Sequence, residues 1–255
     1  MLKYYSGFAL ALITAVVWGS GSVAVGDEAW QKEATVTFIQ GTVRAVSKGA
    51  PAGRELKKGD KINKDETIKV AGRSRLEMRC PDGTIMRFAE KSTVRMSEVR
   101  YNTQTSDKNI KVNLSVGKLW AKVKQLTTPD SSVVVETSNA VAGVRGTVYR
   151  VNVEDDQSAL VRVYDGSVYV ANPPRETAGK PPVVVSKPAE VPGPSQVPPP
   201  YHEVTLQEWT YIVQAMQQIT ISPQGAATQP QSFDPKTDAD EWVKWNQERD
   251  TTTAF

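Results

Sequence analysis

The stretch RLEMRCPDGTIMRF, residues 75–88, can fold as little other than a β-hairpin. Leu76, Met78 and Cys80 alternate with Arg75, Glu77 and Arg79, Pro81-Asp82-Gly83 interrupts, and Met86 and Phe88 then flank Arg87. Period-two alternation puts successive side chains on opposite faces of an extended strand, and an Asp-Gly turn reverses it. One face is apolar and the other wet, as in an antiparallel sheet packed on one side. Residues 34–171 repeat this texture with almost no helical periodicity. Strands are expected at 35–39, 42–46, 66–70, 74–80, 84–88, 93–99, 110–116, 118–124, 132–136, 147–153, 159–164 and 167–171. VYDGSVYV, residues 163–170, reads as a second Asp-Gly hairpin. An apolar–x–Gly–x–apolar pattern recurs at Gly41, Gly83, Gly117 and Gly166 without a fixed period.

In ETSNAVAGVRGTVYRV, residues 136–151, a β-branched apolar run holds Arg145 between Gly143 and Gly146, with Thr147 next. Glycines let a backbone bend and approach a neighbour closely. A guanidinium there can donate to several carbonyls and fix a turn that crosses between sheets. The expectation is a structural tie at Arg145, with a ligand-binding arginine as the alternative.

Charge is uneven. Residues 28–171 hold 24 basic and 17 acidic side chains, and residues 172–255 hold 6 and 10, so a basic front meets an acidic tail. Arg79, Arg87 and Arg95, spaced by eight, share the outward parity of their strands. They form a candidate anion-binding ladder, against the plainer reading of a solvated face paired with Glu77 and Glu90.

The first residues read as an export signal. Lys3 precedes an apolar run from Phe8 to Trp18, and Ser22-Val23-Ala24 suits cleavage near residue 24. An uncleaved anchor in the inner membrane is the alternative, and the only membrane contact then expected. Either way the body is exported, to the periplasm or cell envelope.

Cys80 is the single cysteine and His202 the single histidine. No disulfide can close within the chain, a zinc site lacks ligands, and a Ser-His-Asp or Cys-His arrangement would need His202 out of its proline-rich setting. Phosphate-binding glycine motifs are missing too. The sequence points away from an enzyme, from any cofactor or metal, and from nucleic acid. Cys80 is expected as a buried free thiol.

Asn172–Pro200 carries ten prolines in 29 residues and reads as a semi-rigid spacer. Beyond it, HEVTLQEWTYIVQAMQQITI has the marks of a helix: a Thr205–Glu208 capping box, then Trp209, Ile212, Val213 and Met216 on one apolar face. TDADEWVKWNQERD reads as a short second helix, acidic at its start, with Trp242 and Trp245 three apart. These six residues are candidates for docking, on the chain's own β domain or on a partner. The expected division is a signal at 1–24, a β domain at 34–172, a spacer at 173–200 and a helical tail at 201–255.

TSNAVAGVRGTVYRV followed by ALVRVYDGSVYVAN resembles the signature of the FecR domain family. Upstream, FIQGTVRAV, LKKGDKI, SRLEMRCPDGTIMRF and LSVGKLWAKV fall in that family's order. The resemblance spans about 34–172, with Gly143, Arg145, Gly146 and Thr147 at its structural signature. It implies an all-β, antiparallel sandwich or roll outside the bacterial cytoplasm. Its best-known members are single-span regulators of sigma factors in iron uptake, with a cytoplasmic anti-sigma segment ahead of the span. Only three residues precede Tyr4 here, so direct control of a sigma factor is not expected. The expected role is a protein-interaction, sensory or scaffolding module at the envelope. The alternative is a binder of glycan or anionic cell-wall polymer.

Overall fold

A computed structural model of the chain describes residues 29–173 and 209–253. The strands in chain order are β1 (Trp30–Gln31), β2 (Ala34–Gln40), β3 (Val43–Ser47), β4 (Ala50–Glu55), β5 (Lys61–Ile62), β6 (Thr67–Val70), β7 (Arg75–Arg79), β8 (Ile85–Phe88), β9 (Thr93–Asn102), β10 (Lys108–Lys122), β11 (Ser132–Glu136), β12 (Val141–Val144), β13 (Val148–Val153), β14 (Ala159–Asp165), β15 (Ser167–Ala171), β16 (Thr210–Gln214), β17 (Gln217–Ile221) and β18 (Gln231–Ser232). One helix, α1 (Glu241–Thr252), follows them.

The strands form two sheets that share β10. The first runs β4-β3-β6-β9-β10-β11-β12-β15-β16, with β1 beside the far end of β9. The second runs β5-β2-β7-β8-β10-β13-β14-β17-β18. Every pairing is antiparallel except β10 with β11. β10 serves the first sheet from Lys108 to Val116 and the second from Gly117 to Lys122, so the two expected strands at 110–116 and 118–124 are one bent strand. Inward side chains from both sheets, such as Val94, Met96, Val112 and Val135 against Met78, Phe88, Val151 and Val161, make a single apolar core. Most strands are those the alternation predicts, and two sheets packed on one core make the sandwich that the FecR resemblance implies.

The hairpin at 75–88 forms as read, with Leu76 opposite Phe88. Its Asp82 is buried and accepts from the Lys108 Nζ at 2.7 Å and from Thr84, which pins the turn to the start of β10. VYDGSVYV does not form a hairpin. β14 lies in the second sheet and β15 in the first, so Asp165-Gly166 is a corner between sheets. The chain crosses back beside it, from β12 to β13, through Arg145-Gly146-Thr147. The two corners pack together: a Cβ on Gly166 (φ +81°) would stand 2.7 Å from the Gly146 carbonyl oxygen. One on Gly146 (φ +100°) would stand 2.7 Å from the Gln125 Cα.

Arg145 is not the tie expected of it. The crossing between sheets is present, but Arg145 is exposed. Thr147 does the fastening: Val123 N–H donates to its carbonyl at 2.9 Å, and its side-chain Oγ1 donates to the Ser167 carbonyl at 3.0 Å. Among the described residues the buried arginines are Arg87 and Arg150.

The helix expected over 202–221 is overturned in its described part, from residue 209 on. Residues 210–214 are β16 and 217–221 are β17, turning at Met216 (φ +61°). The spacing of Trp209, Ile212, Val213 and Met216 fits a helix, but period two fits better. Tyr211 and Val213 lean inward and Thr210 and Ile212 outward, and in β17 Ile219 and Ile221 are buried. β-Branched residues and two unfilled sheet margins favour the strands. The 173–200 stretch therefore does not lead to a separate tail. Beyond Pro173 it lies outside the described residues, between Asn172 and Trp209, whose backbones pair as neighbours in a ladder. The signal segment, His202 and the Thr205–Glu208 box also lie outside the described residues.

The second expected helix is α1, and it packs on the outer face of the second sheet. Asp240 caps it by accepting from the Val243 N–H at 2.8 Å. Trp242 and Val243 are buried with Trp120 and Ala89, and Trp245 packs at the margin. This cover explains why all four residues of β8 are buried.

Candidate functional site

A sheet edge offers unpaired N–H and C=O groups to any extended chain, and folds blunt such edges with short strands, proline or charge. Among the described residues, β1, β5 and β18 are two-residue edges. β4 carries Pro51, Arg54 and Glu55. β16, Thr-Tyr-Ile-Val-Gln, is five residues long with neither proline nor charge, and among the described residues pairs only with β15.

Its hydrogen-bond phase follows from one contact. Asn172 N–H donates to the Trp209 carbonyl. Bonded pairs alternate along an antiparallel ladder, so Tyr211 and Val213 turn their backbone groups to β15, and Thr210, Ile212 and Gln214 turn theirs to the open side. The Gln214 N–H is held by the Gln217 Oε1 at 3.0 Å. Thr210 and Ile212 keep donor and acceptor directed outward.

The side chains point to the same place. The large exposed apolar side chains among the described residues are Tyr169, Ile212 and Met216, at 50%, 60% and 44% exposure. Tyr169 is the register partner of Ile212 across β15 and β16, and Met216 lies at the turn just beyond. Gly143 is the next partner of Tyr169, and a Cβ there would meet no atom within 4 Å, so the face stays open beside the tyrosine.

Of the residues expected to dock, Ile212 and Met216 belong to this edge. Val213 does not, because it is fully buried. Trp209 is half-buried, with its Nε1 donating to the Gly225 carbonyl at 2.8 Å and its ring stacked on Tyr211. Trp242 and Trp245 lie on α1 and are engaged against the second sheet. Sequence reasoning missed Tyr169, although period two over residues 167–171 already separates it from the inward Val168 and Val170.

The arginine ladder is dissolved. Arg87 has the outward parity expected, but that face lies under α1 and Arg87 is fully buried. Its Nε donates to the Glu77 Oε2 at 2.7 Å and its Nη1 to the Asp250 Oδ1 at 2.6 Å. Arg249, from the last turn of α1, donates to both Glu77 oxygens, at 2.9 and 3.1 Å. Burial would raise the Glu77 carboxyl, but hydrogen bonds from Arg249, Arg87 and Thr37 prevail and hold it down at about 2. Trp120 Nε1 donates to Asp250, and Lys122 Nζ donates to the Asp250 and Thr253 carbonyls at the helix end. Arg79 is on β7 and Arg95 on β9, in different sheets. A cavity of about 670 Å³ beside the start of α1 does not replace the ladder. Arg73, Arg75, Lys91 and Lys118 line it, opposed by Glu90, Glu154, Asp155, Asp240 and Glu241. Cys80 is the buried free thiol expected, its pKa raised by burial.

Residues 66–169 match the family model described as FecR protein. The chain carries a FecR domain. The match runs from the entry into β6 to the middle of β15 and contains Gly143, Arg145, Gly146 and Thr147. The folded unit around the FecR domain is larger, since β2 to β5 and β16 to α1 complete both sheets and cover one. Two crystal structures of a candidate anti-sigma factor from Parabacteroides distasonis ATCC 8503 are similar, at 17% identity and TM-scores of 0.44 and 0.43. Each is matched over 66% of this chain, which spans 60% of the length of theirs. No curated protein matches the sequence. Among the described residues no group of three or more His, Cys, Asp or Glu side chains is placed to hold a metal ion, and no helix is long and apolar enough to cross a membrane.

Proposed function

We propose that this FecR-type protein is a non-enzymatic scaffolding module of the bacterial cell envelope, exported by its N-terminal segment. It makes protein contacts by adding a strand at β16. The observation that carries the reading is the coincidence of the one long, uncharged, proline-free edge with the exposed Tyr169, Ile212 and Met216. Main-chain pairing at such an edge supplies affinity, and outward side chains supply selectivity. α1 already covers the outer face of the second sheet, and among the described residues nothing covers the β16 edge. A role in binding anionic polymer loses its motive once Arg87 is buried and Arg79 and Arg95 stand on separate sheets.

The test compares the full chain with its Ile212→Lys variant on two resins, immobilised envelope protein extract and isolated cell wall. The reading expects retention on the protein resin that falls at least tenfold in the variant, and no retention on cell wall. Retention on cell wall that weakens with salt and ignores Ile212 would overturn it.

A further inference from the structure

Which extended chain does β16 fit? We infer that it is β16 of a second copy, paired antiparallel about a two-fold axis through Ile212. This deepens, and rests on, the reading of β16 as a strand-addition edge. The first support is phase. Ile212 is the middle residue of β16 and one of those whose N–H and C=O face outward. Placing the axis at such a residue makes the central pair a hydrogen-bonded one, in which each Ile212 N–H meets the other copy's Ile212 carbonyl, and centres the pairing on the strand. The same register sets each Thr210 N–H against the other copy's Gln214 carbonyl. The Gln214 N–H keeps its bond to Gln217. Among the described residues no existing hydrogen bond must break.

The second support is charge. Thr210, Ile212 and Gln214 are neutral, as is Tyr169 beside them, so two copies meet with no like charges opposed. The register sets Ile212 against Ile212 on the exposed face and makes a stripe Tyr169–Ile212–Ile212–Tyr169 across both copies. Opposed charges on the other full-length edge, Arg54 and Glu55 with Pro51, give β4 no such self-match.

The third consideration is size. Five residues on each side fall well short of the roughly 20–30 per side of a stable interface. The dimer is therefore weak, formed in the micromolar range or above, and suited to assembly where copies are concentrated.

The experiment is sedimentation velocity on the full chain from low to high micromolar concentration. Alongside it run Ile212→Lys, Ile212→Glu and their equimolar mixture. Melting curves establish that each variant is folded, which the exposure of Ile212 favours. The expected result is a rise toward twice the monomer mass for wild type, monomers for each variant alone, and recovery of the dimer in the mixture. Only a residue that faces its own counterpart gives that recovery. A wild-type chain that stays monomeric, or a dimer indifferent to both substitutions, overturns the inference. A peptide of sequence Trp209–Gln214, added to the full chain, separates this failure from that of the broader reading. If wild type is monomeric but binds the peptide, and Ile212→Lys abolishes that binding, strand addition stands and the self-partner falls. If it also ignores the peptide, both fall.

Discussion

Replacing Glu77 by glutamine removes one charge from beneath α1 and keeps the shape of the side chain. Glu77 is almost fully buried and accepts from Thr37, Arg87 and Arg249, which joins three elements at one carboxylate. Its pKa is about 2 against an ordinary 4.5. At ~1.4 kcal/mol per pH unit, that displacement corresponds to about 3 kcal/mol of stability. The folded-state value is the lower one. The contribution is therefore complete above pH 4.5 and is lost as pH falls toward 2. The variant also leaves Arg87 buried with Asp250 as its one remaining carboxylate, and breaking a buried pair costs about 3–5 kcal/mol at most. Urea unfolding followed by tryptophan fluorescence reads both effects, since Trp120, Trp242 and Trp245 sit in this interface. Glu77→Gln should be less stable by about 3 kcal/mol at pH 7, and the gap should close toward pH 2. Equal stability at pH 7, or a gap that persists at pH 2, would refute the idea that this carboxylate fastens the helix.

Other outcomes follow from the same structure. A chain ending at Ala239 should melt lower and bind more of a hydrophobic dye, because Trp120 and Arg87 lose their cover; an unchanged melt would mean α1 adds nothing. Gly166→Ala should cost about 1–2 kcal/mol or more through its left-handed backbone and its approach to Gly146. Gly143→Ala should be neutral within about 0.5 kcal/mol. Arg145→Ala, exposed between them, should likewise shift stability by no more than about 0.5 kcal/mol in denaturant titrations.

The strands and their apolar face were legible because alternation is a local property. Leu76, Met78 and Phe88 announce their face within a few residues, and the hairpin at 75–88 forms as read. What period two cannot convey is which sheet a strand joins. Asp165-Gly166 has the residues of a hairpin turn, but its strands separate into different sheets, because the corner at Gly146 and Thr147 occupies the space beside it. Parity gave Arg87 its correct direction, and exposure failed because α1, about 160 residues away in sequence, covers that face. The segment at 209–221 defeated a helical reading through tertiary demand: two sheet margins accept its Val213, Ile219 and Ile221 as strands. Ile212 was singled out in the sequence for a helix face and serves a sheet edge instead. Tyr169 was overlooked because its partner on β16 is distant in sequence.

The open edge of β16 is tested most directly by amide hydrogen exchange resolved at single residues, repeated over a range of protein concentrations. Tyr211 and Val213, bonded to β15, should be protected at every concentration. The Ile212 and Thr210 amides should exchange quickly in dilute solution and slow as the concentration rises. An Ile212 amide protected equally at all dilutions would mean that the edge is already occupied, and one that stays fast at every concentration would mean that nothing pairs with it.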